Sequence, residues 1–182
     1  LLSGNLGYRP TVRGALWFAG EVWPALRRRF PACRWRLAGS RPPRAIRRLA
    51  RLPGVELVTD PADLAVHFAA ATVAIAPMQT GSGVPMKVLE AWAAGVPIVA
   101  TPEAAAGLAP GSIEALEVAT GRDSWVASLA GLLADEERRR ALTAAGRSAW
   151  KLHYHPEVVR RALREAAVQA TEPGHRGMGP AR

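Results

Sequence analysis

Residues 73–101 read VAIAPMQTGSGVPMKVLEAWAAGVPIVAT. The stretch parses as strand, glycine loop, helix, strand. Val73 to Ala76 is an apolar run closed by Pro77, and Val96 to Ala100 is a second one. Between them Gly81, Ser82 and Gly83 open a helix of about eleven residues, with Pro85 in its first turn and Gly95 as its stop. A buried strand that feeds a helix through glycines leaves backbone N–H groups aimed at one spot, where the helix dipole is also positive. Such a spot binds anions, and phosphate is the usual one.

The helix is apolar nearly all the way round (Val84, Met86, Val88, Leu89, Ala91, Trp92, Ala93, Ala94), the pattern of a helix buried on most sides. Its only charges, Lys87 and Glu90, stand three residues apart and share a face. One reading is a surface ion pair worth a few tenths of a kcal/mol. The other gives Lys87 the phosphates and Glu90 a ribose, since a carboxylate can accept from both adjacent hydroxyls. The spacing leaves both open. Lysine is scarce, however: Lys87 and Lys151 are the only two among 24 basic residues. A lysine kept in an arginine-biased chain points to a slot for a compact charge on a flexible stem.

At 182 residues, 49% hydrophobic and 21% charged, the chain has the size and composition of one globular domain. No apolar run approaches the roughly 20 residues of a membrane helix, and no signal-peptide layout opens the chain. It begins at Leu1, inside what reads as a strand, so a longer parent protein is expected. Cys33 stands alone, which excludes an internal disulfide and fits a reducing, cytoplasmic compartment. The net charge of +9 invites a nucleic-acid reading. Its arginines are spread along the chain without the interleaved aromatics of a single-strand binding surface, so no nucleic-acid partner is expected. An anionic membrane surface is compatible with the charge, as peripheral attachment to its inner face.

Taken in order, Leu1 to Ser3 ends a first strand, followed by a glycine loop from Gly4 to Pro10. Thr11 caps a helix reaching about Phe30, kinked or restarted at Pro24. Arg34 to Ala38 is a strand, Pro42 and Pro43 lead into a basic helix, and Val55 to Val58 is a third strand. Asp60 and Pro61 cap a helix to about Ala70. Beyond the central unit come an alanine- and glycine-rich loop, a strand near Ala115 to Ala119, a helix capped by Asp123, another capped by Asp135, and a last one after Pro156. Residues from Thr171 onward lack apolar periodicity and read as a mobile tail, leaving 1–170 as the domain.

Strict alternation of strand and helix argues an α/β fold, a doubly wound, Rossmann-like parallel sheet of about six strands. In the common order 3-2-1-4-5-6, strands one and four are neighbours at the switch point. The Gly4–Pro10 and Pro77–Gly83 loops then face each other across one crevice, outside the carboxyl ends of the strands, where ligands bind in such sheets. Other constellations fail. There is no G-x-G-x-x-G after the first strand and no P-loop. Four histidines and one cysteine make no metal pattern, and no D-x-D suggests a protein-bound divalent cation. No metal and no cofactor are expected; phosphate charge falls to backbone N–H groups, Lys87 and arginine.

The stretch GSGVPMKVLEAWAAGVPIVAT resembles the signature of the retaining glycosyltransferases of family four (group 1), in the nucleotide-sugar-binding C-terminal half of a GT-B fold. GNLGYRPTVRGALWFAGEVWPAL resembles the opening of that half. WRLAGSRPP, VELV with nearby Asp63, and TVAIAPM follow in the family's order, so the likeness covers about residues 1–165. It implies a nucleoside-diphosphate sugar as donor substrate and transfer with retention at the anomeric carbon. It implies that Glu90 binds the ribose hydroxyls and Lys87 the diphosphate, these two being the catalytic candidates. It places amides around Gly81, Ser82, Gly83 and Val84 at the diphosphate, backbone near Val58 and Thr59 at the base, and Gly4 and Asn5 on the opposite wall. The acceptor would be held by an N-terminal domain absent from this chain, so the chain alone is expected to turn over poorly. Two departures stand out. Ser82 takes the place of the first glutamate of the family's E-x7-E motif, and Asn5 and Thr11 replace residues usual after the first strand, so Arg9 or Arg13 would have to supply the missing charge. A nucleotide-sugar epimerase of the same fold, a non-catalytic nucleotide-binding module and, behind them, a dinucleotide oxidoreductase domain are the alternatives.

Overall fold

The computed structural model describes residues 1–80 and 83–171. Two apolar clusters sit on opposite faces of one layer of strands. The strands are β1 (Leu2–Asn5), β2 (Trp35–Ser40), β3 (Val55–Thr59), β4 (Ala74–Ala76), β5 (Ile98–Ala100) and β6 (Glu117–Val118). Alternate residues of a strand point to opposite faces. Ile75 and Val99 accordingly join one cluster, while Ala74, Ala76, Ile98 and Ala100 join the other.

The first face is covered by α1 (Arg9–Trp17), α2 (Trp23–Arg29) and α7 (Gly121–Ala134). Its centre is aromatic: Phe18 and Trp23 lie against Trp35, and Trp17 and Phe18 meet Trp125 edge-on. The second face is covered by α5 (Met86–Ala94), packed on α8 (Glu136–His153). Between strands lie α3 (Arg44–Leu49), α4 (Ala65–Ala69) and α6 (Pro102–Ala105), and α9 (Pro156–Thr171) closes the described chain.

All strand pairs are parallel, as the alternation predicts, but the six strands form two three-stranded sheets, β1-β2-β3 and β4-β5-β6, instead of one ladder. β1 and β4 are neighbours, and the backbone of Leu1 bridges them. Its N–H donates to the Val73 carbonyl at 2.9 Å, and its carbonyl accepts from Ile75 at 2.8 Å. Beyond Leu1 the two strands are not paired, so the sheets meet at that residue without joining into one ladder.

Several expected caps shift. Thr11 is not the cap of α1 but lies inside it, 1% exposed, and the helix starts at Arg9 with a proline in its first turn. The restart at Pro24 is observed as a wide π-helical turn, Phe18–Val22, which relieves the clash of a proline ring with the turn before it. Asp60 does not cap α4; its backbone is left-handed (φ 47°), and the Asp63 carboxylate accepts from Ala65 N–H instead. Thr120, not Asp123, precedes α7, while Asp135 caps α8 as expected, accepting from Arg138 N–H. α5 is nine residues long and less enclosed than its composition suggests. Val88, Ala91 and Trp92 are buried, but Met86, Ala93 and Ala94 are exposed, because alanines on an outer face carry little apolar area to hide. Of the expected tail, Thr171 ends α9 and residues 172–182 lie outside the described residues.

Candidate functional site

The carboxyl ends of the strands are aligned by register. Gly4 stands opposite Gly39, and Gly39 opposite Thr59, so these three share a row. Gly4 adopts φ 99°, a conformation suited to glycine, and a Cβ there would lie 3.1 Å from the Lys87 ammonium. Gly39 lets β1 and β2 close up: a Cβ on it would sit 1.7 Å from the Gly4 carbonyl oxygen. Gly14 does the same for α1, where a Cβ would strike the Pro77 carbonyl oxygen at 2.2 Å. The loops after β1 and β4, far apart in sequence, therefore meet at one crevice.

α5 delivers both charged side chains to that crevice. Lys87 Nζ donates to the carbonyl of Ser3 at 2.7 Å, across 84 positions of sequence. The ion pairs among the described residues involve neither Lys87 nor Glu90, so the surface-pair reading of their spacing does not hold. Burial draws the Lys87 ammonium below its ordinary pKa, opposed by the nearby Glu90 carboxylate. Burial also pushes the Glu90 carboxyl up, against the lowering influence of Lys87 and of a hydrogen bond from the Ser3 hydroxyl. A cation and an acid thus stand side by side, partly desolvated and not neutralising each other through direct contact. That arrangement suits a ligand carrying both negative charge and hydroxyl donors.

The remaining expected residues are distributed around this pair. Gly83 is exposed with φ 133°, and its carbonyl rests on Gly107 in the turn after α6. Val84 is 67% exposed and follows it directly into α5. Among the described residues, nothing accepts from the N–H of Gly83 or Val84, whereas Met86 N–H turns back onto the Val84 carbonyl. Gly81 and Ser82 lie outside the described residues. Asn5 is exposed beside Gly4, its side-chain oxygen accepting from Gly7 N–H at 2.9 Å in an Asx turn. Val58 and Thr59 end β3, two strands from Lys87, at the far side of the same edge.

The sequence alone did not point to Ser3 or Thr101. Ser3 is 4% exposed and meets Lys87 through its backbone and Glu90 through its hydroxyl. A backbone acceptor leaves no mark in residue identity. Thr101 caps α6, accepting from Ala104 N–H, and its hydroxyl also donates to the Met78 carbonyl, pinning the loop after β4. A threonine before Pro102 is a readable cap signal. Arg41 and Asp60, both left-handed, turn the chain just beyond β2 and β3.

A family model described as "Glycosyl transferases group 1" matches residues 1–135. No curated protein matches the chain. Among solved structures, sucrose-phosphate synthase from Thermosynechococcus elongatus superposes with a TM-score of 0.70 at 17% identity, over 93% of this chain and 45% of that one. The C-terminal domain of a glycosyl transferase group 1 family protein (LpcC) from Francisella tularensis gives 0.60 at 15%, over 85% and 86%. Anabaena Alr3699/HepE, solved in complex with UDP and glucose, gives 0.68 at 15%, over 93% and 48%. These likenesses show the fold. The chain spans about half the length of the synthase and of the Anabaena protein.

Proposed function

Because the chain belongs to the glycosyl transferases group 1 family, we propose that it forms the part of a glycosyltransferase that holds a nucleoside-diphosphate sugar. The observation that carries this reading is the meeting of Lys87 with β1 at Ser3 and Gly4, Glu90 beside it on the same helix face. The Anabaena structure of the same fold, holding UDP and glucose, supports it.

In this reading the diphosphate lies between the N–H groups of Gly83 and Val84 and the Lys87 ammonium. Glu90 accepts from the ribose hydroxyls, and the base runs along the edge toward Thr59. Negative charge grows on the diphosphate as the glycosidic bond breaks, so preorganised donors there act on the transition state more than on the bound donor. Transfer with retention, no metal, and an acceptor held by a separate N-terminal domain complete the proposal. We also place the protein in the cytoplasm, against the inner face of a membrane. Among the described residues no helix is long and apolar enough to cross one.

Calorimetric titration with uridine, guanosine and adenosine diphosphates tests the reading and selects the base. Glu90→Ala is expected to weaken the preferred nucleotide by about 1.5–3 kcal/mol, the scale of a hydrogen bond to a charged group. The same variant should hardly alter binding of the analogue with blocked ribose hydroxyls. Equal losses for both would remove Glu90 from the ribose.

A further inference from the structure

The face of the strand layer under α5 is lined by apolar side chains, and one buried residue breaks the pattern. Leu1, Ala74, Ala76, Ile98 and Ala100 pack in the cluster on that face, whereas Leu2 belongs to the opposite one. Alternation along β1 therefore turns the side chain of Ser3 toward α5. Ser3 is buried there, and a buried hydroxyl without a partner is costly. Its partner is the Glu90 carboxylate, to which it donates.

The backbone of the same residue serves the cation. Leu1 turns its N–H and carbonyl to β4, and every second residue of a parallel strand turns them to the same side. Beyond Leu1 the two strands are not paired. The Ser3 carbonyl is thus open to a side chain, and the Lys87 ammonium donates to it at 2.7 Å. Lys87 and Glu90 stand one turn apart on α5, at a spacing where an ion pair could form, yet none joins them among the described residues. Both side chains have several rotatable bonds, so the helix fixes their roots and not their ends. What meets both ends is Ser3, an acceptor to one and a donor to the other.

We infer that Ser3 is a positioning residue for the acid of the crevice: while its carbonyl anchors Lys87, its hydroxyl fixes the Glu90 carboxylate at a set place beside the cation, turned to meet a ribose diol next to a diphosphate. The consequence for nucleotide binding rests on the donor-site reading above; the hold of Ser3 on Glu90 does not. An ionised carboxylate has about four acceptor sites. With one of them taken by Ser3 and its rotation stopped, the others are presented to two adjacent hydroxyls. An acid held in this way surrenders little rotational freedom when a ligand arrives, which is how preorganisation raises affinity.

The test pairs Ser3→Ala, which deletes the hydroxyl, with Ser3→Cys, which keeps the shape of the side chain but offers only a weak donor. NMR titration of the ligand-free chain should show the Glu90 carboxyl, identified by its loss in Glu90→Gln, releasing its proton at higher pH in both variants than in wild type. The charged form has then lost a hydrogen bond that favours it. Calorimetry should show the preferred nucleoside diphosphate bound about tenfold more weakly by both variants, the scale of one hydrogen bond to a charged group. An analogue lacking both ribose hydroxyls should bind them as it binds wild type. Ser3→Cys carries the test if Ser3→Ala fails to fold. An unchanged or lowered Glu90 pKa, unchanged nucleotide affinity, equal losses for the nucleotide and its analogue, or a Ser3→Cys variant indistinguishable from wild type would each overturn the inference. Should the wild-type chain bind no nucleotide, the donor reading falls, and the Glu90 titration still decides whether Ser3 fixes the acid.

Discussion

Glu90 is the residue whose environment works against the stability of the ligand-free protein. Burial raises its carboxyl pKa, so the folded chain holds that proton more tightly than the unfolded chain does. A raised carboxyl contributes stability below its unfolded value, and the contribution is lost as pH rises through the folded value. Glu90→Gln cannot lose it. Its stability advantage over wild type should open as pH rises from about 4 to 7 and close again on acidification. Urea midpoints across that range check this, and a pH-independent gap would contradict it. The variant should bind nucleoside diphosphate more weakly while being the more stable protein, the usual relation at a functional site. At this scale the sequence was informative about identities: Lys87 stood out by rarity and Glu90 by sharing its face. It was silent on Ser3, because the atom that meets Lys87 is a carbonyl every residue possesses.

Among the elements, α5 was the most legible, since its glycine stop and apolar run are local signals. Gly95 takes φ 72° at its carboxyl end, where Ala91 and Trp92 carbonyls accept from it. Gly95→Ala should cost about 1 kcal/mol: left-handed backbone costs a side chain about 1–2 kcal/mol, partly offset by a stiffer unfolded chain. The Arg147 guanidinium, 2.6 Å from the new Cβ, can swing away and adds little. Gly20→Ala is the control, because its Cβ meets nothing within 4 Å, and chemical denaturation of the pair should show loss for the first and none for the second. Caps were less legible. Thr11 and Asp60 carry cap chemistry, yet Thr11 is drawn into the core of α1 and Asp60 into a left-handed turn. Tertiary packing decided between equally good local candidates.

For the whole molecule, strand–helix alternation was enough to predict a parallel, doubly wound fold with the switch point between β1 and β4. The division into two sheets was not predicted, since the fit between β1 and β4 exists only once the strands are side by side. Part of the positive charge is concentrated on α3. Arg44, Arg47, Arg48 and Arg51 line one exposed groove along α3, and residues 41–51 contain no acid to balance them. Like charges at this spacing repel one another by a few tenths of a kcal/mol per pair, and an anionic lipid surface would relieve that repulsion. Sedimentation with vesicles containing phosphatidylserine should show binding that weakens as salt rises. Replacing the four arginines by glutamine should abolish it while nucleotide affinity stays unchanged. Equal binding to neutral vesicles would rule out the charge as its cause.

The contact between α5 and α8 has almost no clearance. A Cβ on Gly146 would come within 2.4 Å of the Trp92 indole, whose N–H is tied to the Ala115 carbonyl at 3.1 Å. α8 has 18 residues, so it reaches roughly 27 Å at 1.5 Å per residue. Because the two rods are keyed together without slack, any tilt of the shorter one would be levered along the longer one, and a reporter dye on the outer end of α8 would register it from a distance.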